Sequence, residues 1–305
     1  MKKILLLIPA LLLSGCNSRK AELKIVCPTG APAIAFYKEF HNSNFETNGV
    51  PSNIIAMMSE TSDKDLVVID TLGGIQAINK GAPYKIAASL TFGNFFIAST
   101  GNDANGQMDV GDKIVLFGQN QTPDKLFHYI YGNQYDEGIE YVGNVQDAAK
   151  CLISGKNAVT THSIDYVFVA QPVLLNALAK NTKAAKYANI QDLYKEKSEG
   201  KELIQASIFV KSDSSKKDVD KYLVQLEKDI EEAVKNPDVI TETFKDEEIE
   251  QLVSTYGADP SNFVKAIQDN NSLGLGYKKA SSNKENIDAF LSLFSIEKTD
   301  EKIYD

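Results

Sequence analysis

The sequence predicts an α/β protein with two lobes. Short apolar runs that are typical of strands alternate with stretches of helical spacing, a pattern that favours βα units and a largely parallel sheet. One block of these units ends near residue 98, and a second block follows it. With 305 residues, the chain is long enough to build one large domain or two lobes of ordinary size.

In the first block, four segments are predicted to be extended. Two of them, at residues 23–27 and 65–69, each lead through a turn that contains proline or glycine into a predicted helix. The other two lie at residues 84–90 and 94–100. The order strand, helix, strand is that of a βαβ unit.

The second block repeats this order before the chain changes character. After residue 206 we predict one strand at 207–210 and a helix at 217–236, in which apolar residues recur at helical spacing. Within the block itself, three strands are each followed by a helix. The strands are predicted at 113–117, 139–142 and 157–160, and the helices begin near 124 or span 145–154 and 163–179.

The first twenty residues predict export and a lipid anchor. A short cationic start precedes an apolar run at residues 4–13, which is too short to cross a bilayer and is typical of a signal peptide. The run ends in Leu-Ser-Gly-Cys, which matches the lipobox of bacterial lipoproteins, where the cysteine thiol is acylated. We therefore predict a signal peptide at 1–15, lipidation with palmitate at Cys16 and a polar tether at 16–20. An ordinary signal peptide that happens to end near a cysteine is the alternative.

Composition argues against nucleic acid as a partner. Acidic residues (41) outnumber basic ones (32), for a formal net charge of −9, and affinity for nucleic acid comes largely from Lys and Arg. The only arginine, Arg19, lies in the predicted tether. An arginine clamp on a carboxylate or phosphate is therefore excluded in the lobes.

The sequence carries no signature of an enzyme. Serine-hydrolase, zinc-protease, Walker and C-x-x-C motifs are absent, and the three histidines are far apart. We predict no catalytic residue, no metal site and no cofactor. Cys27 and Cys151 are expected to be small buried hydrophobes rather than a disulfide, because one closes a strand and the other lies in a helix.

Two strand-to-helix loops share one design that suits an anion. Residues 28–32 and 118–123 each place a threonine and a proline at a helix start, where free N–H groups attract negative charge. Simple helix capping is the alternative for both loops. A third such turn, at 71–74, carries two glycines that allow close approach of a ligand or only a tight turn.

Seven segments, spread over nearly the whole chain after residue 20, resemble a known family. They are KIVCPTGAPAIAFY (24–37), LVVIDTLGGIQAINKG (66–81), ASLTFGNFFIAS (88–99), GQNQTPDKLFHYI (118–130), QASIFV (205–210) and the stretches 226–237 and 276–294. In this order they resemble the type II periplasmic-binding-protein fold of ABC transporter solute-binding lipoproteins. The branch includes binders of taurine, aliphatic sulfonates, nitrate and thiamine pyrimidine precursors.

The resemblance implies a Venus-flytrap architecture, in which each lobe is a mixed, mainly parallel sheet flanked by helices. Lobe 1 would combine residues 21–98 with 207–305, and lobe 2 would hold 99–206, with a hinge near Phe95-Phe96 and 205–207. Many relatives have an acidic residue at the turn that holds His162 here, so the ligand's charge stays open. By matched position, the cleft would be lined by Thr29, Gly30, Ala31, Thr71, Leu72, Gly73, Asn94, Gln121, Thr122, His162 and Ser163.

On this reading the chain is a solute receptor rather than an enzyme, anchored by lipid on the outer face of the cell membrane. It would close on a small ligand and present it to an ABC permease with its ATPase. A sulfonate-type anion, a thiamine-related pyrimidine and another vitamin-like heterocycle are the expected ligand classes. Two alternatives remain, an extracytoplasmic enzyme on the same fold and an interaction lipoprotein that has lost ligand binding.

Overall fold

Two separate sheets form the framework of the chain in the computed structural model, which describes residues 23–103 and 105–296. The predicted signal peptide, the tether and Cys16 lie outside the described residues. The first sheet has the strand order β11-β4-β10-β3-β1-β2, and the second has the order β7-β6-β8-β5-β9. The strands are β1 (Ile25–Pro28), β2 (Phe45–Asn48), β3 (Leu66–Asp70), β4 (Tyr84–Thr91), β5 (Phe95–Ser99), β6 (Ile114–Phe117), β7 (Ile139–Val142), β8 (Tyr166–Ala170), β9 (Ala185–Asn189), β10 (Ala206–Lys211) and β11 (Leu275–Lys279).

Helices cover both faces of the first sheet, which explains why its strands are apolar without interruption. Along β3, Leu66 and Val68 join one buried cluster, whereas Val67 and Ile69 join another. The helices are α1 (Pro51–Ala56), α2 (Thr71–Asn79), α3 (Thr122–Tyr131), α4 (Val145–Ser154), α5 (Val173–Lys180), α6 (Ile190–Lys197), α7 (Lys216–Lys235), α8 (Asp238–Thr243), α9 (Ile249–Tyr256), α10 (Pro260–Gln268) and α11 (Lys284–Leu293), with 3-10 segments at Ala33–Glu39, Asp136–Gly138 and Ala280–Ser282.

The chain crosses between the sheets twice. The first crossover, residues 92–94, joins β4 to β5, and the second crossover, residues 198–205, joins α6 to β10. The lobe boundary expected at residue 98 falls inside β5, which pairs with β8 and β9 of the second sheet, so the sheets separate before Phe95. Both sheets are mixed, with parallel pairs at β1–β3 and β6–β8 and antiparallel pairs where a strand enters from a crossover.

Two predictions for residues 157–179 are wrong, namely the strand at 157–160 and the first half of the helix at 163–179. Residues 157–160 form a turn, and the strand β8 lies inside the segment predicted as a helix. All five residues of β8 are buried, since it is a central strand. A short, continuous apolar run cannot be told from a buried helix by periodicity. The edge strands β2, β9 and β11 were not predicted, because their sequences are polar and partly exposed.

The last helix, α11, links the two sheets. The ring of Phe290 lies 6.2 Å from that of Tyr194 on α6, and the Lys125 ammonium on α3 lies 5.3 Å from the centre of the Phe294 ring. Phe290 and Tyr194 belong to one buried cluster, which also contains Phe209 of the first sheet. Although the sequence assigns this helix to the first lobe, it packs against the second lobe as well.

Both described cysteines are free and buried, as predicted. Cys27 is fully buried in β1 of the first sheet, and Cys151 on α4 is buried in a different cluster, against the second sheet. Burial raises the pKa of both thiols, so neither is a ready nucleophile.

Candidate ligand site at the junction of the two sheets

The carboxyl ends of the parallel strands in both sheets lie next to the crossovers. β3 ends at Asp70 opposite Ala206, the residue that follows the second crossover. β8 ends at Ala170 opposite Phe95, the residue that follows the first crossover. In open α/β sheets, ligands bind at the carboxyl ends of the strands. We call this region the junction, and define it as the two crossovers, the strand ends beside them and the loop 269–274 that packs on them.

The first crossover passes the loop 269–274 at close range. The N–H of Phe92 donates to the carbonyl oxygen of Gly274 at 2.8 Å. A Cβ atom on Gly274 would lie 2.2 Å from the carbonyl oxygen of Gly93, and φ is positive at both glycines (66° and 97°). Any larger residue at position 274 would therefore force the crossover away.

In the loop after β1, the predicted anion-binding N–H groups are engaged within the chain. The N–H of Gly30 donates to the carbonyl oxygen of Tyr256 at 2.8 Å, and that of Thr29 donates to Asn48 at 3.3 Å. Ala31 is buried at 2% exposure. These three residues lie at the predicted edge of the first sheet, where they hold α9 and β2 in place.

The turn after β3 is likewise satisfied internally. The hydroxyl groups of Thr71 and Ser207 lie 2.8 Å apart, and both residues are fully buried. The N–H of Gly73 donates to the side chain of Asp70, which caps α2, and burial raises the pKa of that carboxyl. Leu72 points into the apolar cluster that contains α1. The glycine here serves a tight helix start, since a Cβ would meet Asp70 at 2.6 Å.

The loop after β6 places a carboxylate of the chain where an anion was expected. The N–H of Asn120 donates to Asp124 at 2.7 Å, and the N–H of Gln121 donates to the carbonyl oxygen of Gly118 at 2.8 Å. Gln121 is exposed and Thr122 is partly buried at the start of α3. Both residues lie on the junction edge of the second sheet, at the end of β6.

The structure places His162 and Ser163 at the amino ends of the strands of the second sheet, on the side opposite the junction. They precede β8 and pair with the end of α4 through the bridge from Lys156 to Ser163. His162 is 61% exposed at its side chain and lies 2.5 Å from Glu140. The structure therefore places this turn away from the junction, because residues 157–160 form a turn rather than the predicted strand, and the strand β8 begins only after His162.

Asn94 is the predicted residue that lies within the junction itself. Its side-chain N–H donates to the carbonyl oxygen of Gln171 at 2.7 Å, and the N–H of Gln171 donates back to the carbonyl oxygen of Asn94 at 2.9 Å. The side-chain N–H of Gln171 also donates to Ser272 at 3.0 Å, which links the second lobe to the loop 269–274. Asn94 and Gln171 are 4% and 2% exposed.

Unpaired buried oxygens are concentrated at the junction. Of the seven buried side-chain oxygens that lack a hydrogen-bond partner in residues 23–103 and 105–296, four lie there and a fifth, on α6, lies beside Gly93 of the first crossover, whereas native proteins pair most such atoms. Sequence reasoning missed four of these five residues, although a polar residue that directly follows an apolar strand, as Gln171 follows β8, is a usable signal. The five oxygens belong to Thr91, Asn94, Gln171, Gln191 and Gln205.

A cavity of about 530 Å³ opens at the side of the junction, between the edge strands β9 and β11. Its volume is in the range of small-molecule sites. Phe92 and Phe96 contribute aromatic walls, and Gln191, Ser272 and Gly93 line it as well. The cavity therefore shares its wall with the crossover that carries Asn94 and with the partner of Gln171.

Two lysines in the wall of the cavity form ion pairs with carboxylates. The ammonium of Lys186 on β9 pairs with Asp269 of the other lobe and lies 5.2 Å from the centre of the Phe96 ring. The ammonium of Lys278 on β11 pairs with Glu202 of the second crossover at 2.5 Å. Each lysine is thus neutralised by a carboxylate, so the cavity does not offer a free cation to an anionic ligand.

The other chemistry of the described chain lies elsewhere. His41 lies 2.9 Å from Glu247, and His128 lies 3.1 Å from Asp136, both away from the junction. No group of three or more potential metal ligands occurs among the residues that the structure describes. In the same residues, no helix is long and apolar enough to cross a membrane.

Solved structures share the architecture at low sequence identity. An ABC transporter from Parabacteroides distasonis is 18% identical, with a TM-score of 0.71, over 90% of this chain and 91% of that one. The periplasmic aliphatic sulphonate binding protein SsuA from Escherichia coli is 13% identical, with a TM-score of 0.60, over 90% and 88%. The ligand-binding component of an ABC-type import system from Staphylococcus aureus, with zinc bound, is 10% identical, with a TM-score of 0.58, over 88% and 90%.

No protein-family model matches the chain, and no curated protein matches it either. The similarity is therefore one of fold. In this chain, the fold consists of two mixed sheets flanked by helices and joined by two crossovers. The chain has the two-lobed α/β fold of the periplasmic binding proteins.

Proposed function

We propose that the chain is the extracytoplasmic solute-binding protein of an ABC importer, anchored to the outer face of the cell membrane through Cys16. One observation carries the proposal. A cavity of about 530 Å³ opens at the side of the junction between the two sheets, and its lining includes Gln191, one of the buried side chains with an unpaired oxygen. Such a site binds a small molecule as the lobes close. The binding proteins among the similar structures support the same role.

In this role the closed form is the signal to the transporter. A ligand that contacts both crossovers favours the closed arrangement, in which Gln171 reaches Ser272 and Lys186 reaches Asp269. The permease and the ATPase would then recognise the closed pair of lobes. An enzyme on the same fold is the rival function. The described histidines pair with carboxylates outside the junction and both described thiols are buried, which favours the receptor.

A ligand screen on the full-length, detergent-solubilised protein tests the proposal. The compounds are sulfonates, nitrate, pyrimidines, flavins and amino acids, and thermal unfolding is the readout. A ligand at about 100 times its Kd adds about 2.7 kcal/mol to the free energy of unfolding and raises the melting temperature. The same compound should be taken up more slowly by cells that lack the protein.

A matched variant separates anchoring from binding. Cys16→Ser should lose the lipid, measured by mass spectrometry and by release from the membrane, and should keep the full ligand-induced shift. Absence of any shift across the screen, together with unchanged uptake, would rule out the receptor function. A lipid that persists in Cys16→Ser would rule out the anchor alone.

A further inference from the structure

We propose that the cavity between β9 and β11 binds a small organic cation, whose ammonium group lies on the ring face of Phe96 or Phe92 beside a carboxylate of the lining. The inference rests on the proposed function, because it names the ligand class of that same site. It differs from the anionic ligand that the loop sequences suggest.

The two aromatic walls of the cavity each already hold an ammonium group of the chain. The ammonium of Lys186 lies over the Phe96 ring, 5.2 Å from its centre, and that of Lys278 lies over the Phe92 ring, also 5.2 Å from the centre. A ring face attracts a cation within about 6 Å of its centre. Both ring faces are therefore positions at which this cavity stabilises an ammonium group.

A carboxylate completes each of these positions. The ammonium of Lys186 pairs with Asp269, and that of Lys278 pairs with Glu202 at 2.5 Å. The two lysines, the two carboxylates and both rings all line the one cavity. The cavity thus contains two sites for an ammonium group, each made of a ring face and a carboxylate, and the chain's own lysines occupy them.

The lysines that occupy these sites can give way to a ligand. Their side chains are 33% exposed at Lys186 and 44% exposed at Lys278, so each ammonium is already near solvent. A lysine ammonium sits on a flexible four-carbon stem and is strongly hydrated, and partly exposed ion pairs contribute little to stability. A ligand ammonium can therefore take the place of a lysine that turns outward.

The charge of the lining also favours a cation. Three carboxylates and two ammonium groups line the cavity, which gives it a formal charge of −1. The third carboxylate, that of Asp192 in the first turn of α6, pairs with neither of the two lysines. The chain as a whole carries a formal net charge of −9. This field attracts cations to the cavity and repels anions from it.

The site at Phe96 connects the two lobes. Phe96 on β5 and Lys186 on β9 belong to the second sheet, whereas Asp269 lies between α10 and β11 of the first lobe. A ligand ammonium at this site contacts a ring of one lobe and a carboxylate of the other. Its binding therefore favours the arrangement in which the lobes are close, as the proposed receptor requires.

Calorimetry on the full-length, detergent-solubilised protein decides the charge of the ligand. The cationic probes are putrescine and tetramethylammonium, the neutral probe is butane-1,4-diol, and the anionic probe is methanesulfonate. We expect the two cations alone to bind, with a Kd that rises with salt because the site is partly exposed. Tetramethylammonium has no N–H group, so its binding reports charge and ring contact rather than hydrogen bonds.

Lys186→Met gives a result that a purely structural ion pair would not give. It removes the resident ammonium and leaves Phe96 and Asp269 to the ligand, so the Kd of putrescine should fall about fivefold, which corresponds to about 1 kcal/mol. Asp269→Asn removes the carboxylate and should raise this Kd by a similar factor. Lys180→Met, the same change at an exposed lysine on α5, is the matched control and should leave the Kd unchanged.

A Kd for putrescine that stays equal or rises in Lys186→Met would overturn the inference, because the lysine would then not compete with the ligand. Melting temperatures show whether each variant is folded, and Lys278→Met, which vacates the Phe92 ring, repeats the test at the second site. Binding of methanesulfonate or the diol in place of the cations would overturn the inference and leave the receptor function standing. Silence of all four probes would also overturn it, and the receptor function would then be decided by the wider ligand screen and by uptake.

Discussion

Polar residues at the two ends of the strands of the second sheet differ in their hydrogen bonding. We call these two ends of the strands the edges of the sheet. At the edge away from the junction, one carboxylate, that of Glu140, accepts from Asn157 at 2.6 Å and from Thr160 at 2.7 Å, and lies 2.5 Å from His162. At the junction edge, Asn94 and Gln171 are more deeply buried, at 4% and 2% exposure, and leave their side-chain oxygens unpaired.

This difference separates polar groups that hold the fold from polar groups that are available to a ligand. A buried polar atom costs free energy unless it is paired, so a network that pairs every member is stabilising, and an unpaired one is tolerated where function uses it. The edge around Glu140 is therefore structural, and the junction edge is where binding is expected.

The largest expected effect is the loss of the Glu140 carboxylate. Glu140→Leu leaves Asn157 and Thr160 without their acceptor, and each hydrogen bond to a charged group is worth about 1.5–3 kcal/mol. We expect a loss of about 3 kcal/mol in the free energy of unfolding, measured in urea, with ligand affinity unchanged. Glu137→Leu, at an exposed glutamate three residues earlier, is the control and should change stability by less than about 0.5 kcal/mol. Similar losses in both variants would refute the structural role.

At the junction, the loss of a polar side chain should cost far less stability. Gln171→Met removes one bond to Ser272, worth about 1 kcal/mol, but it also removes an unpaired buried oxygen. We expect a net change below about 1 kcal/mol in urea unfolding, together with weaker ligand binding. Gln119→Met, the same substitution in the exposed loop after β6, controls for the chemistry of the change. A loss of stability as large as that of Glu140→Leu would erase the contrast between the edges.

The sequence predicted the fold class and several of the strand ends that face the junction. The apolar strands β1, β3 and β6 and the loops after them were predicted within a few residues, because buried parallel strands and proline or glycine turns have strong signals. The lipid anchor at Cys16 lies outside the described residues and stays a prediction.

The polar contacts of the junction could not be predicted. β8 lacks alternation, so its end at Gln171 was hidden inside a predicted helix, and the turn of His162 was placed at the wrong edge. Whether a helix-start N–H is free depends on tertiary partners, as when Gly30 meets Tyr256 across more than 200 positions. Such pairings are set by packing and leave no local pattern.

The pH dependence of stability should also differ between the edges. Burial alone would raise the pKa of Glu140, but hydrogen bonds from His162, Thr160 and Asn157 lower it below its ordinary value of 4.5. Ionised Glu140 therefore stabilises the fold at pH values above 4.5, and this contribution is lost as the pH falls through the lowered pKa. In urea unfolding, the stability gap between the wild type and Glu140→Gln should shrink as the pH is lowered below 4.5. A constant gap would mean that the pKa of Glu140 is the same in the folded and the unfolded chain, so that the hydrogen bonds do not favour the ionised carboxylate.

The smallest effect is expected from the ion pair that spans the junction. Lys186 and Asp269 belong to different lobes, and their side chains are 33% and 45% exposed. Exposed pairs contribute about 0.2–1 kcal/mol and are screened by salt, so Lys186→Met should change stability by no more than this, and less at high salt. Lys180→Met, at an exposed lysine on α5, is the matched control. Because the pair connects the lobes, its loss should instead increase the radius of gyration of the ligand-free protein in X-ray scattering. If Lys186→Met leaves the radius unchanged and costs as much stability as Glu140→Leu, the pair belongs with the structural network, and closure at the junction depends on the buried amides and α11 alone.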